Sequence, residues 1–313
     1  MTRFAIIAAM AGELKPLVRG WAHKRWNGVD LWRWKFDEGE WVAACCGAGQ
    51  RAATRAFAEI EKDGPVSVAI SVGWAGALSE SVERGKAYSV FGVIDMLTGE
   101  RFEAEVSGGL APSFPWSQNR DLGHPAGQER GVGMQTHPSD RNRDVARVGH
   151  PAVSSTMSQD RDPSASSGQA LGHPGLSQVG QPDLWLVTSP KVAGAAEKRR
   201  LAAAYDASLV DMEAAGVARL ASMRGIPFYC IKGVSDGLSD DLIDFNRFIS
   251  SQGQFQMARL LVFVLPRPWY WPTLIRMGEN GKKASQSIAE SLLDFLDERG
   301  HIRKQNGYPN LKR

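Results

Sequence analysis

Along most of this chain, short continuous apolar runs alternate with stretches whose apolar positions recur at helical spacing. That is the signature of strands and helices taking turns. The run FAIIAAM (4–10) predicts a buried strand, with a helix starting near Ala11. LWRWKF (31–36) and WVAACC (41–46) predict an antiparallel pair around a turn at Asp37–Glu40. Residues 47–64, GAGQRAATRAFAEIEKDG, read as a helix that glycines open and Gly64 closes. VSVAISVG (66–73) is a fully apolar strand, and KAYSVFGVID (86–95) is another.

Further on, LWLVTS (184–189) is a strand and AGAAEKRRLAAAY (193–205) a helix. ASLVDM (207–212) is a strand running directly into the helix EAAGVARLASMRG (213–225). IPFYCIKGVSD (226–236) is a strand that ends in a polar turn, and a long helix is expected over about 242–263. Apolar strands alternating with helices predict an α/β sheet covered on both faces. Ligands of such sheets bind at the carboxyl ends of the strands. That rule directs attention to Met10–Glu13, Gly73–Gly76, Met212–Glu213 and Ser235–Asp236.

Residues 105–184 break the pattern. They hold no Ile and no Tyr, their only aromatics are Phe114 and Trp116, and a Gly-His-Pro tripeptide recurs at 123–125, 149–151 and 172–174. Such a composition cannot bury enough apolar surface to offset the entropy of ordering it. The expected organisation is therefore an α/β domain made of 1–104 and 185–265, a low-complexity, disordered insertion at 105–184, and a basic helical extension at 266–313.

Composition narrows the function classes. Of 313 residues, 43% are hydrophobic and 23% charged, an ordinary globular balance. The formal net charge of +3 and the scattered Lys and Arg give no footprint of a nucleic-acid binder. Cys45, Cys46 and Cys230 lie in apolar runs without metal-ligand spacing, as buried thiols of a cytoplasmic protein would. His124, His137, His150 and His173 fall in the repetitive insertion and are assigned no chemistry. No run reaches the ~20 apolar residues of a spanning helix. LLVFVLPRPWYWPTLI (260–275), broken by Pro266, Arg267, Pro268 and Pro272, could at most lie on a membrane surface.

Three acids, Glu13, Glu213 and Asp236, stand just past the ends of apolar strands. A single such residue is commonly a helix cap or first-turn acid. Three at the same rim of one sheet, each beside small residues, look like a site with an acid, a base and a ligand for a polyol.

The segments AAMAGEL (8–14), CCGAGQRAA (45–53), ISVGWAGAL (70–78), LVDMEAAGVA (209–218) and GIPFYCIKGVSDG (225–237) resemble the methylthioadenosine/S-adenosylhomocysteine nucleosidases, in that family's order. The resemblance covers nearly all of the chain outside 105–184 and the final ~45 residues. It implies the nucleoside phosphorylase/nucleosidase fold, a single three-layer α/β/α domain with a central mixed sheet. It gives Glu13 the activation of the attacking water and Asp236 the protonation of purine N7. It gives Glu213 the ribose hydroxyls and Met212 the packing against the sugar. Ser235 holds the loop, Gly76 lies at the strand end lining the substrate, and Phe245 stands over the substrate tail or in the core. No metal or organic cofactor is required.

Phosphorolytic relatives hold phosphate with a Gly-Asp-Pro-x-Arg loop and a further Arg and Ser. This chain has AAMAGEL and Ser71-Val72-Gly73-Trp74 at those places, and a carboxylate without arginine repels phosphate. Hydrolysis of an adenosine-type, 5′-substituted nucleoside is the favoured activity. A phosphorylase or a non-catalytic nucleoside-binding protein on the same fold are the alternatives. Trp74 replaces a small polar residue and is expected to fill or wall the pocket. Segments 189–215 and 267–285 look more like the hopanoid-associated phosphorylases, thought to remove adenine from an adenosyl lipid. On that likeness Val192 marks the backbone that reads the purine edge. The greasy, basic C-terminal segment suits a lipid-tailed substrate, a membrane surface or a homodimer interface.

Overall fold

The computed structural model describes residues 2–36, 39–45, 47–105, 184–240 and 242–298. The body of the expected insertion, and Cys46, lie outside the described residues. The sheet grows outward from β1 (Thr2–Ala8), buried from Phe4 onward. Strand β1 pairs in parallel with β4 (Gly39–Cys45) on one side and with β5 (Val68–Ala77) on the other. The predicted antiparallel pair is present: β3 (Val29–Phe36) lies against β4, from Asp30 opposite Cys45 to Phe36 opposite Gly39. An edge strand β2 (Ala22–Trp26) hairpins onto β3 through Asn27 and Gly28, both at positive φ, which suits the right-handed strand twist. Sequence pattern missed β2 because all five of its residues are exposed and no apolar alternation marks it.

Beyond β5 the sheet divides. The residues of β5 up to Gly76 pair in parallel with β11 (Phe228–Asp236), which carries β6 (Ala87–Ser89) on its far edge. Gly76 and Ala77 also pair antiparallel with β10 (Leu209–Asp211). The order continues through β9 (Trp185–Thr188) and β7 (Gly92–Asp95) to β8 (Arg101–Glu103). The run read as one strand over 86–95 is therefore two. Val90 N–H reaches Cys230 O while Phe91 N–H reaches Leu184 O, so the chain changes partner between adjacent residues.

Helices cover both faces, giving the expected α/β/α arrangement around a mixed sheet. On one face α2 (Gln50–Glu61) and α4 (Ala214–Arg224) bury Ala53, Phe57, Ala214 and Val217 against the strands. On the other, α1 (Ala11–Leu14) and α6 (Trp271–Glu298) contribute Leu14, Ile288, Leu292 and Phe295 to a second apolar cluster. α3 (Ala195–Tyr205) seats Leu201 beside Val187 and Val210.

The single helix expected over 242–263 is not formed. A 3-10 turn (Phe245–Phe248), whose Asn246 N–H is capped by the Asp244 side chain, leads to a loop and then to α5 (Met257–Val264). The break falls at Gly253, at φ +82, whose carbonyl accepts the Ala48 N–H at 2.7 Å. A second 3-10 turn, Pro268–Tyr270, joins α5 to α6.

Candidate active site

The chain turns from β1 almost directly into α1, which brings Glu13 back over the carboxyl end of the sheet. Its side chain is buried, with the residue 4% exposed. Oε2 accepts the N–H groups of Ala9 (2.9 Å) and Met10 (2.8 Å), and Oε1 accepts that of Trp74 (2.9 Å). Strand β5 can come this close only because residue 73 is glycine. A Cβ there would stand 3.0 Å from Oε1, and Gly73 has φ +135. Burial raises the Glu13 carboxyl above its ordinary range, against the lowering by the three N–H groups and the charge of Lys232.

Glu213 joins β10 to α4. Its Oε1 accepts the Gly49 N–H at 2.7 Å, from the glycine loop that opens α2, and its Oε2 accepts its neighbour Met212 N–H at 3.3 Å. Burial first, then the charge of Asp211, push the Glu213 carboxyl up to about 8, and Glu13 adds to the rise. These two glutamates, distant in sequence, therefore stand close enough to act on each other.

Beneath them lies a charge that sequence reasoning passed over. Lys232, wholly buried in β11, pairs with Asp211 at 2.8 Å and donates to Ser71 Oγ at 3.1 Å. Burial alone would lower its pKa, but the Asp211 carboxylate outweighs that and raises it, so the ammonium stays charged. Asp211 is itself fixed by Thr188 Oγ1 (2.7 Å) and the Ala214 N–H (2.9 Å). The result is a rigid buried cation that faces the two glutamates without bonding to either.

Asp236 ends β11, where the register against β5 shifts between Val234 and Asp236. Its neighbours there are polar. Its Oδ1 lies 2.5 Å from the Ser235 hydroxyl, and its Oδ2 accepts from the ammonium of Lys198 on α3. Lys198 is 1% exposed and also donates to Gly237 O at 2.6 Å. Gly76 leaves room for the pair, since a Cβ there would fall 2.9 Å from Lys198 Cε and 3.1 Å from Asp236 Oδ2. Both oxygens of Asp236 are thus engaged as acceptors, one from the Ser235 hydroxyl and the other from the Lys198 ammonium.

Of the remaining predicted residues, Met212 is half-buried between Asp211 and Glu213. Trp74, expected to fill or wall the pocket, lies between α1 and α6. Its indole Nε1 donates to Ser285 Oγ on α6 at 2.9 Å, and its ring fills the space over Gly12 and Gly281. Its backbone N–H is the group that reaches Glu13. Val192, expected to read a purine edge, has both main-chain polar groups occupied. Its N–H donates to Asn246 Oδ1 (2.8 Å) and its carbonyl accepts from Asn246 Nδ2 (3.0 Å). Phe245, next to Asn246, packs against Phe255 with ring centroids 6.2 Å apart.

The sequence profile of the phosphorylase superfamily matches residues 3–262. Among curated proteins, none matches the chain. Solved structures share the fold at low identity. Futalosine hydrolase of Helicobacter pylori is 12% identical at a TM-score of 0.54, covering 95% of this chain and 98% of that one. The 5′-methylthioadenosine/S-adenosylhomocysteine nucleosidase of S. pneumoniae, solved with a transition-state inhibitor, is 17% identical at a TM-score of 0.54, covering 94% and 98%. Arabidopsis thaliana 5′-methylthioadenosine nucleosidase is 13% identical at 0.53, covering 95% and 96%.

Proposed function

Since this chain belongs to the phosphorylase superfamily, we propose that it is a nucleosidase, with Glu13, Glu213 and Asp236 cleaving the N-glycosidic bond of a purine nucleoside by hydrolysis. The observation that carries this reading is Glu13. A buried carboxylate, held by three main-chain N–H groups at the end of β1, repels phosphate and leaves water as the nucleophile. Burial raises its pKa, which makes the ionised carboxylate a stronger base than an ordinary glutamate.

The steps follow the chemistry of a glycoside with an oxocarbenium-like transition state. Glu13 takes a proton from water as that water attacks the anomeric carbon. Glu213 accepts hydrogen bonds from the ribose hydroxyls. Ionised, it also stabilises the positive charge growing on the sugar, and Lys232 beneath it favours that ionised form. The purine leaves as its N7 receives a proton through Asp236, drawn from the Lys198 ammonium bonded to it. Similarity to two methylthioadenosine nucleosidases and a futalosine hydrolase supports hydrolysis over phosphorolysis.

The finer reading is an adenosine-type substrate substituted at the 5′ carbon, carried by a lipid-like tail as in the hopanoid-associated subfamily, and handled by a cytoplasmic homodimer. Incubation with methylthioadenosine, adenosylhomocysteine, adenosine and inosine, with and without phosphate, tests both levels by chromatography of the free base. Adenine released without phosphate supports the reading, and a strict need for phosphate overturns it.

A further inference from the structure

Ten large apolar side chains are the most exposed among the described residues, and seven of them fall between Met257 and Ile275. Scattered exposed apolar residues mean little, whereas a concentrated patch marks a binding surface. Along α5, Leu260 and Val264 point into a small apolar cluster with Phe248 and Ile243. Met257, Leu261 and Leu265 recur every four residues on the open side, and Val262 stands beside them at 73% exposed. The 3-10 turn and the start of α6 continue the surface with Trp269, at 66% exposed, Trp271 and Ile275.

The charge carried by this segment has one sign. Between Asp244 and Glu279 there is no acidic residue, and there are four arginines. Three of these, Arg247, Arg259 and Arg267, line an open groove of about 580 Å³ together with Phe248, Val262 and Phe263. Arg247 and Arg267 flank the Phe263 ring, with guanidinium carbons 5.9 and 4.2 Å from its centroid. Among the described residues none of the three is ion-paired. Arg259 is bonded to Gln256, and Arg267 to the Phe263 carbonyl.

We infer that this face docks on an anionic lipid bilayer. A lipid phosphate would enter the arginine groove, while Leu261, Val262, Leu265 and Trp269 dip into the interface. Arginines beside aliphatic and tryptophan side chains match that boundary, which is charged above and apolar below. The attachment is peripheral, since no described helix is long and apolar enough to cross a membrane. The surface is also fastened to the candidate active site. Asn246, in the 3-10 turn preceding α5, bonds the Val192 main chain, and Gly253 O holds the Ala48 N–H beside the loop that grips Glu213. A docked molecule thus has its nucleoside site linked to the membrane face, as a lipid-tailed substrate requires. That last consequence rests on the proposed function, whereas the docking itself does not.

The test is co-sedimentation of the full chain with vesicles of phosphatidylcholine alone, or of phosphatidylcholine containing about one-third phosphatidylglycerol. Binding to the anionic vesicles should be about tenfold stronger and should weaken as salt rises. The paired substitution Leu265→Glu and Trp269→Glu should abolish sedimentation. Arg259→Glu should remove the preference for anionic lipid while leaving some binding. Unchanged thermal melting shows that the variants remain folded. Two results overturn the inference. One is equal or absent binding to both vesicle types. The other is light scattering that shows a dimer split by Leu265→Glu with no vesicle binding, which makes the face a contact between copies of this chain. Since sedimentation needs no turnover, it reads docking separately from the nucleosidase proposal.

Discussion

Lys198 of α3 and Asp236 at the end of β11 form a buried ion pair, and Gly76 is the residue that makes space for it. If Asp236 delivers a proton to the leaving purine, the ammonium bonded to it is the nearest source of that proton. Lys198→Met should lower kcat by about 100-fold, the scale of a lost acid–base group, with little change in KM because Lys198 touches no residue assigned to the sugar. It should also destabilise the fold by about 3–5 kcal/mol, since it leaves a buried carboxylate without its partner. Adding Asp236→Asn should restore much of that stability but none of the turnover. Unchanged kcat in a folded Lys198→Met protein would make the lysine purely structural.

Glycine at position 73 is what allows β5 to pass beside Glu13. Gly73→Ala adds a methyl 3.0 Å from Oε1 on a backbone at φ +135. The carboxylate must shift, so kcat should fall by about tenfold or more even if the protein stays folded, given how strongly rate depends on placement. Steady-state kinetics alongside a thermal melt separate the two effects.

Burial places the carboxyl of Glu213 at about 8 in the folded protein, against an ordinary value of 4.5. The folded state therefore holds this proton more tightly than the unfolded chain does. The resulting stabilisation is complete below about pH 4.5 and is lost as pH rises through about 8. Glu213→Gln keeps a neutral group at every pH, so the variant should gain stability relative to the natural protein between pH 5 and pH 8.5. Melting temperatures of both proteins across that range check the sign, and a constant difference would count against it.

The amide of Asn246 occupies the Val192 main chain in the way a base edge would, donating to the carbonyl and accepting from the N–H. If Val192 reads the purine, Asn246 must move aside first. Asn246→Ala should then lower KM for the nucleoside several-fold, at some cost in the order of the 3-10 turn. An unchanged or higher KM would place the base elsewhere.

Much of this candidate site was legible in the sequence because acids that end apolar strands are conspicuous. Glu13, Glu213 and Asp236 each interrupt such a run, and the strand-end rule gathers them at one rim. The two lysines were harder to see. Lys232 carried a signal in hindsight, as a cation inside the apolar run FYCIKGV must be buried and must find an anion. Lys198 hides in EKRR, where only its spacing of three from the buried Leu201 sets it apart from solvated neighbours. The misread helix over 242–263 shows the opposite limit. Its apolar spacing is real, but a tertiary bond from Gly253 to Ala48 decides the backbone there, and no local pattern carries that information.

The central claim is that Glu13 activates water rather than tolerating phosphate, and oxygen-18 water tests it most directly. With an adenosine-type nucleoside and no phosphate present, the free base should appear together with a sugar carrying the heavy oxygen at its anomeric carbon, and Glu13→Gln should suppress both products. Base release only after phosphate is added, with an unlabelled sugar 1-phosphate as co-product, would contradict the account.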